Sequence, residues 1–319
     1  MKLLTVDIAA GGRPGVLSGA GEIIDLQMLA DHDGRAIPGS VRAILEAGED
    51  ALDIVRAVVD EIDAASQTEL DAGRKSGVLR PFESTPLCAP VPDPWLILSA
   101  GLNYKSHLAE MKGTPVPPHP AAFIKVQASL TGCRKPVVVP SRYANHVDFE
   151  GEFTVVIGQT CHDVTEDEAM KFVGGYTIAN DVSARDWIPE VHSANGTFDA
   201  IHAWERNIMG KNLPTFTPCG PVITTVDEIP DPHNLQLTSK LNGEVMQDSS
   251  TSDLLYNVPQ LISYYSKWYK FRPGDLITTG SPAGVGVGRN PQVFMTDGDI
   301  IEVAIEGIGT LSNPIVAGG

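Results

Sequence analysis

The sequence has no run of basic residues: 23 lysines and arginines stand against 40 aspartates and glutamates, for a net charge of −17. Binding to nucleic acid or to an anionic membrane surface requires a basic patch, so neither partner is expected. An anionic ligand would have to be attracted by a few local cations or by a metal, because the overall field of the protein repels anions.

The sequence also has no apolar run of the roughly 20 residues that cross a bilayer. The apolar part of its first ten residues, MKLLTVDIAA, is too short for a signal peptide. Cysteine is scarce, and no two cysteines form a CxxC pair, which argues against a zinc site and favours free thiols over disulfides. The four are Cys88, Cys133, Cys161 and Cys219. We therefore expect a cytoplasmic protein.

The chain is long enough, at 319 residues, for one large core and a smaller domain. Residues 1–85 are predicted to form a small α/β domain, with a helical stretch over 41–66 that Gly48 divides into two helices. Five prolines fall within residues 80–94. Because proline cannot donate to a strand ladder, we expect residues 86–94 to be an extended connector to a second domain over 95–319.

The second domain is predicted to be rich in β-structure. Short apolar runs alternate there with glycine, proline, asparagine and aspartate, a pattern typical of a β-barrel or sandwich. Asn242-Gly243 is a pair favoured in tight hairpins. A helix is expected from Asp253 to about Lys267, and no internal repeat is present.

Three acidic residues are candidate metal ligands. The run HVDFEGEFTVVIG (146–158) is predicted to be a strand, on which Glu150 and Glu152 share one face. Asp181 ends a second predicted strand and could supply a third carboxylate. A hard divalent ion such as Mg²⁺ prefers carboxylate oxygens and would relieve the repulsion between them. The alternative is a solvent-exposed polar face on an edge strand.

Each of the other polar residues has more than one interpretation. His107 and Glu110 share a helix face, where the carboxylate could prepare the imidazole as a general base, or they form an ordinary surface pair. Arg185 could pair with Asp186, hold a substrate carboxylate, or form a surface salt bridge. Two loop lysines, at 125 and 211, could be solvated. The glycine-dense run 273–288 could approach an anion or be a flexible hairpin loop.

Seven motifs taken in order resemble the fumarylacetoacetate hydrolase family, over roughly residues 95–315. They are GLNYKSHLAEM, PAAFIK, DFEGEFTVVIG, NDVSARDW, GK…TFTPCGP, LNGEVMQDSSTSDLL and PGDLITTGSPAGVG. The resemblance implies the α+β class: a mixed β-rich roll or barrel with a small N-terminal α/β domain, built around a divalent metal and assembled as a homodimer. Mg²⁺ is the expected ion, with Mn²⁺ or Ca²⁺ as alternatives.

The resemblance also implies roles for individual residues. The metal ligands would be Glu150, Glu152 and Asp181. The catalytic residues would be His107, Glu110 and Lys211. The substrate-binding residues would be Tyr104, Lys125, Arg185, Gly280 and Ser281, the last of which replaces the usual threonine and keeps its hydroxyl.

The implied activity is cleavage of a C–C bond in a small, anionic 2,4-dioxo acid, giving pyruvate and a carboxylic acid. A decarboxylase of the oxaloacetate type or a 2-hydroxy-dienedioate isomerase would use the same metal site, and a non-catalytic binding protein would keep only the fold. This sequence has Ile188 where the family often has a glutamine that touches the substrate, which leaves the reaction open. Residues 189–207 could form a lid, with Trp204 over the site.

Overall fold

The computed structural model describes residues 1–9, 11–111, 114–141 and 144–318. The strands are β1 (Lys2–Val6), β2 (Arg13–Leu17), β3 (Glu22–Asp25), β4 (Leu79–Pro81), β5 (Ile97–Gly101), β6 (Ala121–Lys125), β7 (Leu130–Thr131), β8 (Val137–Val139), β9 (Val147–Asp148), β10 (Gly151–Ile157), β11 (Val173–Asn180), β12 (Ser183–Ala184), β13 (Thr217–Thr225), β14 (Gln236–Leu241), β15 (Glu244–Ser250), β16 (Leu276–Thr278), β17 (Ile300–Ile305) and β18 (Gly309–Ala317). The helices are α1 (Leu26–Asp33), α2 (Val41–Ala47), α3 (Glu49–Asp63), α4 (Gln67–Ser76), α5 (Lys105–Glu110), α6 (Glu166–Ala169), α7 (Ile188–Ser193), α8 (Thr197–Met209) and α9 (Val258–Ser266).

A large mixed sheet forms the body of the molecule. Over the described residues its strands follow the order β4-β3-β2-β1-β13-β11-β10-β16-β5-β6, and β7 pairs with β13 outside that path. A second sheet has the order β15-β14-β17-β18-β8. Strand β10 lies inside the large sheet, between antiparallel partners β11 and β16. The predicted α+β class, with a mixed, β-rich body, is confirmed.

The strands of the first 85 residues continue the large sheet. Strand β1 pairs with β13, with Leu3 opposite Ile223. The two residues also share a hydrophobic cluster with Val55 of α3. The division into two domains at residues 86–94 stays a prediction. The pairing of β1 with β13 joins the two predicted domains through a strand ladder.

Two local predictions from the sequence are confirmed and one is corrected. Gly48, at φ 72°, separates α2 from α3, and Asn242-Gly243 connects β14 to β15 with φ 52° and 82°. The helix expected from Asp253 begins only at Val258. Asn257 caps it by accepting the N–H of Gln260, and a proline in the first turn fixes the start there.

The strand predicted over 146–158 is interrupted at its centre. Strand β9 ends at Asp148 and β10 begins at Gly151, because backbone N–H groups between them donate to side chains instead of to a neighbouring strand. Asn180 accepts the N–H of Glu150 through Oδ1 at 2.8 Å, and Gln247 accepts the N–H of Gly151 through Oε1 at 3.0 Å. The interruption places Glu150 at the junction of two pairs of strands.

The four cysteines are free thiols, as expected. Burial raises the pKa of Cys88 to about 11 and that of Cys219 to about 12. Both thiols are therefore protonated at neutral pH. Among the residues that the structure describes, no helix has the length and apolarity required to span a bilayer.

Candidate active site

The three predicted metal ligands meet inside the large sheet. Glu150 and Glu152 flank Gly151 at the start of β10, and Asp181 directly follows β11, whose Asn180 pairs with Gly151. One carboxylate oxygen from each residue lies within 4.8 Å of the other two. The three residues are buried, with 7%, 1% and 2% of their surface exposed. The alternative of a solvent-exposed polar face is therefore wrong.

The charge around Glu152 fits a bound cation. Glu152 forms no ion pair with any lysine, arginine or histidine in the described ranges, and it accepts the N–H of Gly280 at 3.0 Å. Burial, followed by repulsion from Asp181 and Glu150, raises the pKa of Glu152 well above its usual value. Carboxylate oxygens are the ligands that hard divalent ions prefer. The buried acidic triad can therefore hold a divalent metal.

Lys211 links two of these carboxylates. Its Nζ donates to Glu150 Oε2 at 2.8 Å, to Asp181 Oδ2 at 2.5 Å and to the hydroxyl of Ser183 at 2.7 Å. Burial favours the neutral amine, but the attraction of Asp181 and Glu150 outweighs it and raises the pKa of Lys211. The ammonium is 5.3 Å from the centre of the Phe123 ring. Lys211 is a buried, charged side chain and not a solvated one.

Lys125 holds the other side of Asp181. Its Nζ donates to Asp181 Oδ1 and, at 3.0 Å, to the carbonyl oxygen of Phe216. Burial lowers the pKa of Lys125 despite the attraction of Asp181. Asp181 is thus fixed by both lysines, and neither lysine lies in solvent.

Arg185 pairs with two carboxylates that precede it in the chain. Its Nε donates to Asp148 Oδ2 at 3.0 Å, and its Nη2 donates to Glu150 Oε1. The alternative pairing with Asp186 is wrong, because Asp186 instead accepts the N–H of Asn145 at 3.1 Å. Burial would raise the pKa of Glu150, but Arg185 and then Lys211 hold it below its usual range.

The predicted dyad forms at α5. His107 Nδ1 lies 3.1 Å from Glu110 Oε2, and Glu110 Oε1 accepts the N–H of Gly284 at 3.0 Å. His107 is 7% exposed, so the alternative of a surface pair is wrong. If the Nδ1–H donates to Glu110, Nε2 carries the free lone pair, which is the arrangement of an oriented general base. Gly288 has no side chain where a Cβ would collide with the Glu110 carboxyl group.

A cavity of about 310 Å³ connects the dyad to the metal triad. Of the residues that the sequence singled out, those in its lining are His107, Glu150, Glu152, Asp181, Arg185, Ile188, Trp204, Lys211 and Ser281. The rest of the wall is largely apolar and includes Phe123, Val191 and Ile208. Helices α7 and α8, in the segment considered as a lid, form part of this wall. Movement of the segment stays a prediction.

Two expected substrate-binding residues, Tyr104 and Gly280, are not part of the cavity lining, and a third, Ser281, lines the cavity but bonds atoms of the protein. Tyr104 is fully buried and is not part of the cavity lining. The N–H of Gly280 is bonded to Glu152. The hydroxyl of Ser281 donates to the carbonyl oxygen of Gly151 at 3.1 Å and accepts Nε2 of Gln247 at 2.7 Å.

Three residues of the site had been missed. Asp148 lies two residues before Glu150, so the alternation of strand faces could have found it. Gln247 is fully buried and bonds both Gly151 and Ser281; it lies in the motif LNGEVMQDSSTSDLL, but no role was assigned to it. Asn207 of α8 lines the cavity and was included only in the lid segment.

The comparisons with known proteins agree with this geometry. Residues 96–316 match the model of the fumarylacetoacetate (FAA) hydrolase C-terminal domain. The chain is 36% identical over 300 residues to the mitochondrial oxaloacetate tautomerase fahd2 of Xenopus laevis, covering 94% of this chain and 84% of the relative.

Two solved structures show the same fold. The maleylpyruvate hydrolase of Sphingobium sp. SYK-6, in complex with manganese(II) ion and pyruvate, is 28% identical with a TM-score of 0.73, and the match covers 100% of both chains. The 2-hydroxyhepta-2,4-diene-1,7-dioate isomerase of Mycobacterium marinum is 35% identical with a TM-score of 0.61, covering 76% of this chain and 81% of that one. The match over residues 96–316 and the identity with relatives over most of the chain show that it belongs to the fumarylacetoacetate hydrolase family.

Proposed function

We propose that this protein is a divalent-metal-dependent enzyme that interconverts the keto and enol forms of a small 2-oxo acid of the oxaloacetate type. The observation that carries the proposal is that one cavity contains both an acidic triad and an oriented histidine. The sequence identity with a relative named as an oxaloacetate tautomerase supports this choice of reaction.

The chemistry divides between the triad and the dyad. A divalent ion held by Glu150, Glu152 and Asp181 would stabilise the negative charge that develops on the 2-oxo oxygen. His107 Nε2 takes a proton from C3 of the keto acid, and the electron pair of that C–H bond moves into the enolate. The histidine then returns the proton to the oxygen, so a C–H bond is exchanged for an O–H bond. Glu110 holds the ring and stabilises the imidazolium.

The buried cations shape the site around the triad. We propose that Lys125 and Lys211 position Asp181 between them, and that Arg185 positions Glu150. Lys211 and Arg185 also line the cavity, where their positive charge attracts the carboxylate of the substrate despite the negative net charge of the protein. We propose that Ser281 and Gly280 act by holding β10, through their bonds to Gly151 and Glu152, and that Tyr104 acts by packing in the interior.

A second candidate is hydrolysis of an acylpyruvate, which the 28% identity with the maleylpyruvate hydrolase of Sphingobium sp. SYK-6 supports. In that reaction His107 takes a proton from water, and the oxygen attacks the C4 ketone. The C3–C4 bond breaks, its electron pair leaves with the pyruvate enolate, and the acyl group becomes a carboxylic acid. Tautomerisation and hydrolysis share the enolate but differ in their products.

The test is a product analysis with Mg²⁺ and purified protein. We expect the C3 hydrogens of oxaloacetate in D₂O to exchange faster with the protein than in the same Mg²⁺ buffer without protein. NMR follows the exchange, and no CO₂ is released beyond that control. Formation of acetate and pyruvate from acetylpyruvate would support the second candidate. Release of CO₂, or a shifted double bond in a dienedioate, would replace the proposal by a decarboxylase or an isomerase. If none of these compounds is turned over, the remaining hypothesis is a non-catalytic binding protein.

The chain contains a matched control for the dyad. His202 and Glu205 have the same spacing as His107 and Glu110, with 3.3 Å between Nδ1 and Oε2, but both are exposed on α8. We expect His107→Gln to reduce turnover at least 100-fold, in the range of a lost general base, and His202→Gln to leave it unchanged. Equal effects of the two variants would exclude His107 as the base.

The remaining expectations from the sequence stay proposals. We propose Mg²⁺ as the resident ion, with Mn²⁺ and Ca²⁺ as alternatives that a metal-replacement assay separates. The homodimer and the cytoplasmic location are proposals as well. Light scattering and cell fractionation test them.

A further inference from the structure

One polar side chain of the cavity takes no part in the chemistry described above. Asn207 of α8 is 3% exposed and lines the cavity. Its Oδ1 is buried and has no hydrogen-bond partner among the residues that the structure describes. Lys211, which bonds Glu150 and Asp181, lies four residues later in the turn that follows α8.

An unpaired amide at this position is unfavourable for folding alone. Buried polar groups nearly always have a partner, and removing an amide from water without one destabilises the folded state. The cavity wall that α7 and α8 form around Asn207 is apolar at Ile188, Val191 and Ile208. A leucine would match that wall better than an amide does. The missing partner is therefore best supplied by a ligand.

We propose that Asn207 is a substrate-binding residue that recognises the oxygen group at C4 of a 2-oxo acid. The proposal rests on the proposed function. The amide and the triad line the same cavity of about 310 Å³. An acid whose first two carbons face the triad can therefore extend its C4 group towards the amide.

The amide can donate to the C4 group of both substrate types considered above, but only an acylpyruvate can donate back to it. Its N–H donates to the C4 oxygen, which is a carboxylate in oxaloacetate and a ketone in an acylpyruvate. Its Oδ1 accepts the hydroxyl that an acylpyruvate carries at C4 in its 4-enol form, whereas the C4 carboxylate of oxaloacetate has no hydrogen to donate to Oδ1. A 2-oxo acid with a methylene at C4 offers neither group and leaves the amide buried and unpaired, so it binds more weakly.

The test compares two ligands that differ only at C4, 2,4-dioxopentanoate and 2-oxopentanoate, with oxalate as a ligand that reaches the triad alone. Binding to the Mg²⁺-loaded protein is followed by rapid-mixing tryptophan fluorescence before turnover, since Trp204 lines the cavity. The variant is Asn207→Leu. The control is Glu205→Leu, which adds the same side chain to an exposed position of the same helix.

We expect the wild type to bind the dioxo acid at least about tenfold more tightly than 2-oxopentanoate, the difference that one hydrogen bond in a buried site provides. In Asn207→Leu this preference disappears, oxalate binding is unchanged, and the melting temperature without ligand is equal to or above that of the wild type. Glu205→Leu keeps the preference.

Two results would overturn the proposal. One is an undiminished preference in Asn207→Leu. The other is a lower melting temperature of Asn207→Leu together with weaker binding of all three ligands, which would make Asn207 a structural residue. If the leucine variant does not fold, Asn207→Ser, with a smaller side chain, replaces it. If the wild type binds none of the three ligands in Mg²⁺, the proposed function fails together with this inference. If oxalate binds and Asn207→Leu still prefers the dioxo acid to 2-oxopentanoate, only the role proposed for Asn207 fails.

Discussion

The carboxylate of Asp148 fixes Arg185 from behind the metal site: Oδ2 of Asp148 accepts the arginine Nε at 3.0 Å. The same carboxylate accepts the N–H of Gly286 at 2.6 Å and that of Val287 at 3.1 Å. One fully buried side chain therefore connects the glycine-rich loop, Arg185 and, through Arg185, the proposed metal ligand Glu150.

Asp148→Asn tests this connection. The amide keeps the size of the side chain but removes the charge that pairs with Arg185. We expect turnover to fall about 10- to 100-fold and Mg²⁺ affinity to weaken, the usual cost of losing a residue that orients a metal ligand. Asp186→Asn, one residue after Arg185 and half-buried, is the control. Normal kinetics in Asp148→Asn would show that Glu150 keeps its position without this support.

Asp181→Asn and Glu152→Gln test the triad. Each removes one anionic ligand while retaining an oxygen, so we expect Mg²⁺ affinity, measured by isothermal titration, to fall at least about tenfold. Glu302→Gln on β17 changes a carboxylate that is not part of the cavity lining and should leave the affinity unchanged. Wild-type affinity in both triad variants would place the ion elsewhere.

The triad also shows what the sequence could predict. The two-residue period of a strand put Glu150 and Glu152 on one face, and the end of the next strand pointed to Asp181. The sequence could not reveal that Lys211 and Arg185 would bind these carboxylates rather than solvent, because those contacts depend on the register of β10 against β11 and on the loop after α8. For the same reason the roles of Gln247 and Asn207 could not be assigned from their local sequence.

Gly288→Ala tests the dyad without changing either of its members. The added Cβ would collide with the carboxyl group of Glu110 and displace it from His107. We expect kcat to fall about 10- to 100-fold, since a small misplacement of a catalytic group has effects of this size, while Mg²⁺ binding is retained. Gly39→Ala, where a Cβ has ordinary contacts, is the control. An unchanged kcat would mean that Glu110 does not need its present position.

His233 gives the stability of the fold a dependence on pH. Its Nε2 accepts the N–H of Val258 at the start of α9 at 3.2 Å, which requires the neutral ring. Burial lowers its pKa below the ordinary value of 6.5, so between 6.5 and the lower value the unfolded chain binds the proton and the native protein does not. This contribution to stability is therefore present above pH 6.5 and is lost as the pH falls.

Thermal melts between pH 8 and pH 5 measure this effect, with those pH values chosen as roughly symmetric limits around the ordinary histidine pKa. We expect the melting temperature of the wild type to decrease towards acid pH and the decrease to be smaller in His233→Asn. His162→Asn, at an exposed position, should follow the wild-type profile. A profile of His233→Asn that is parallel to the wild type would assign the acid sensitivity to other groups.

The pairing of β1 with β13 has a consequence for shortened forms of the protein. Strand β13 is also the neighbour of β11, which leads into Asp181. Removing the first 25 residues would leave β13 with unsatisfied backbone donors and acceptors next to the catalytic strands, an open edge that invites intermolecular pairing. A fragment cut at the proline-rich segment would therefore tend to aggregate, and a lack of activity in it would say little about the chemistry of the intact enzyme.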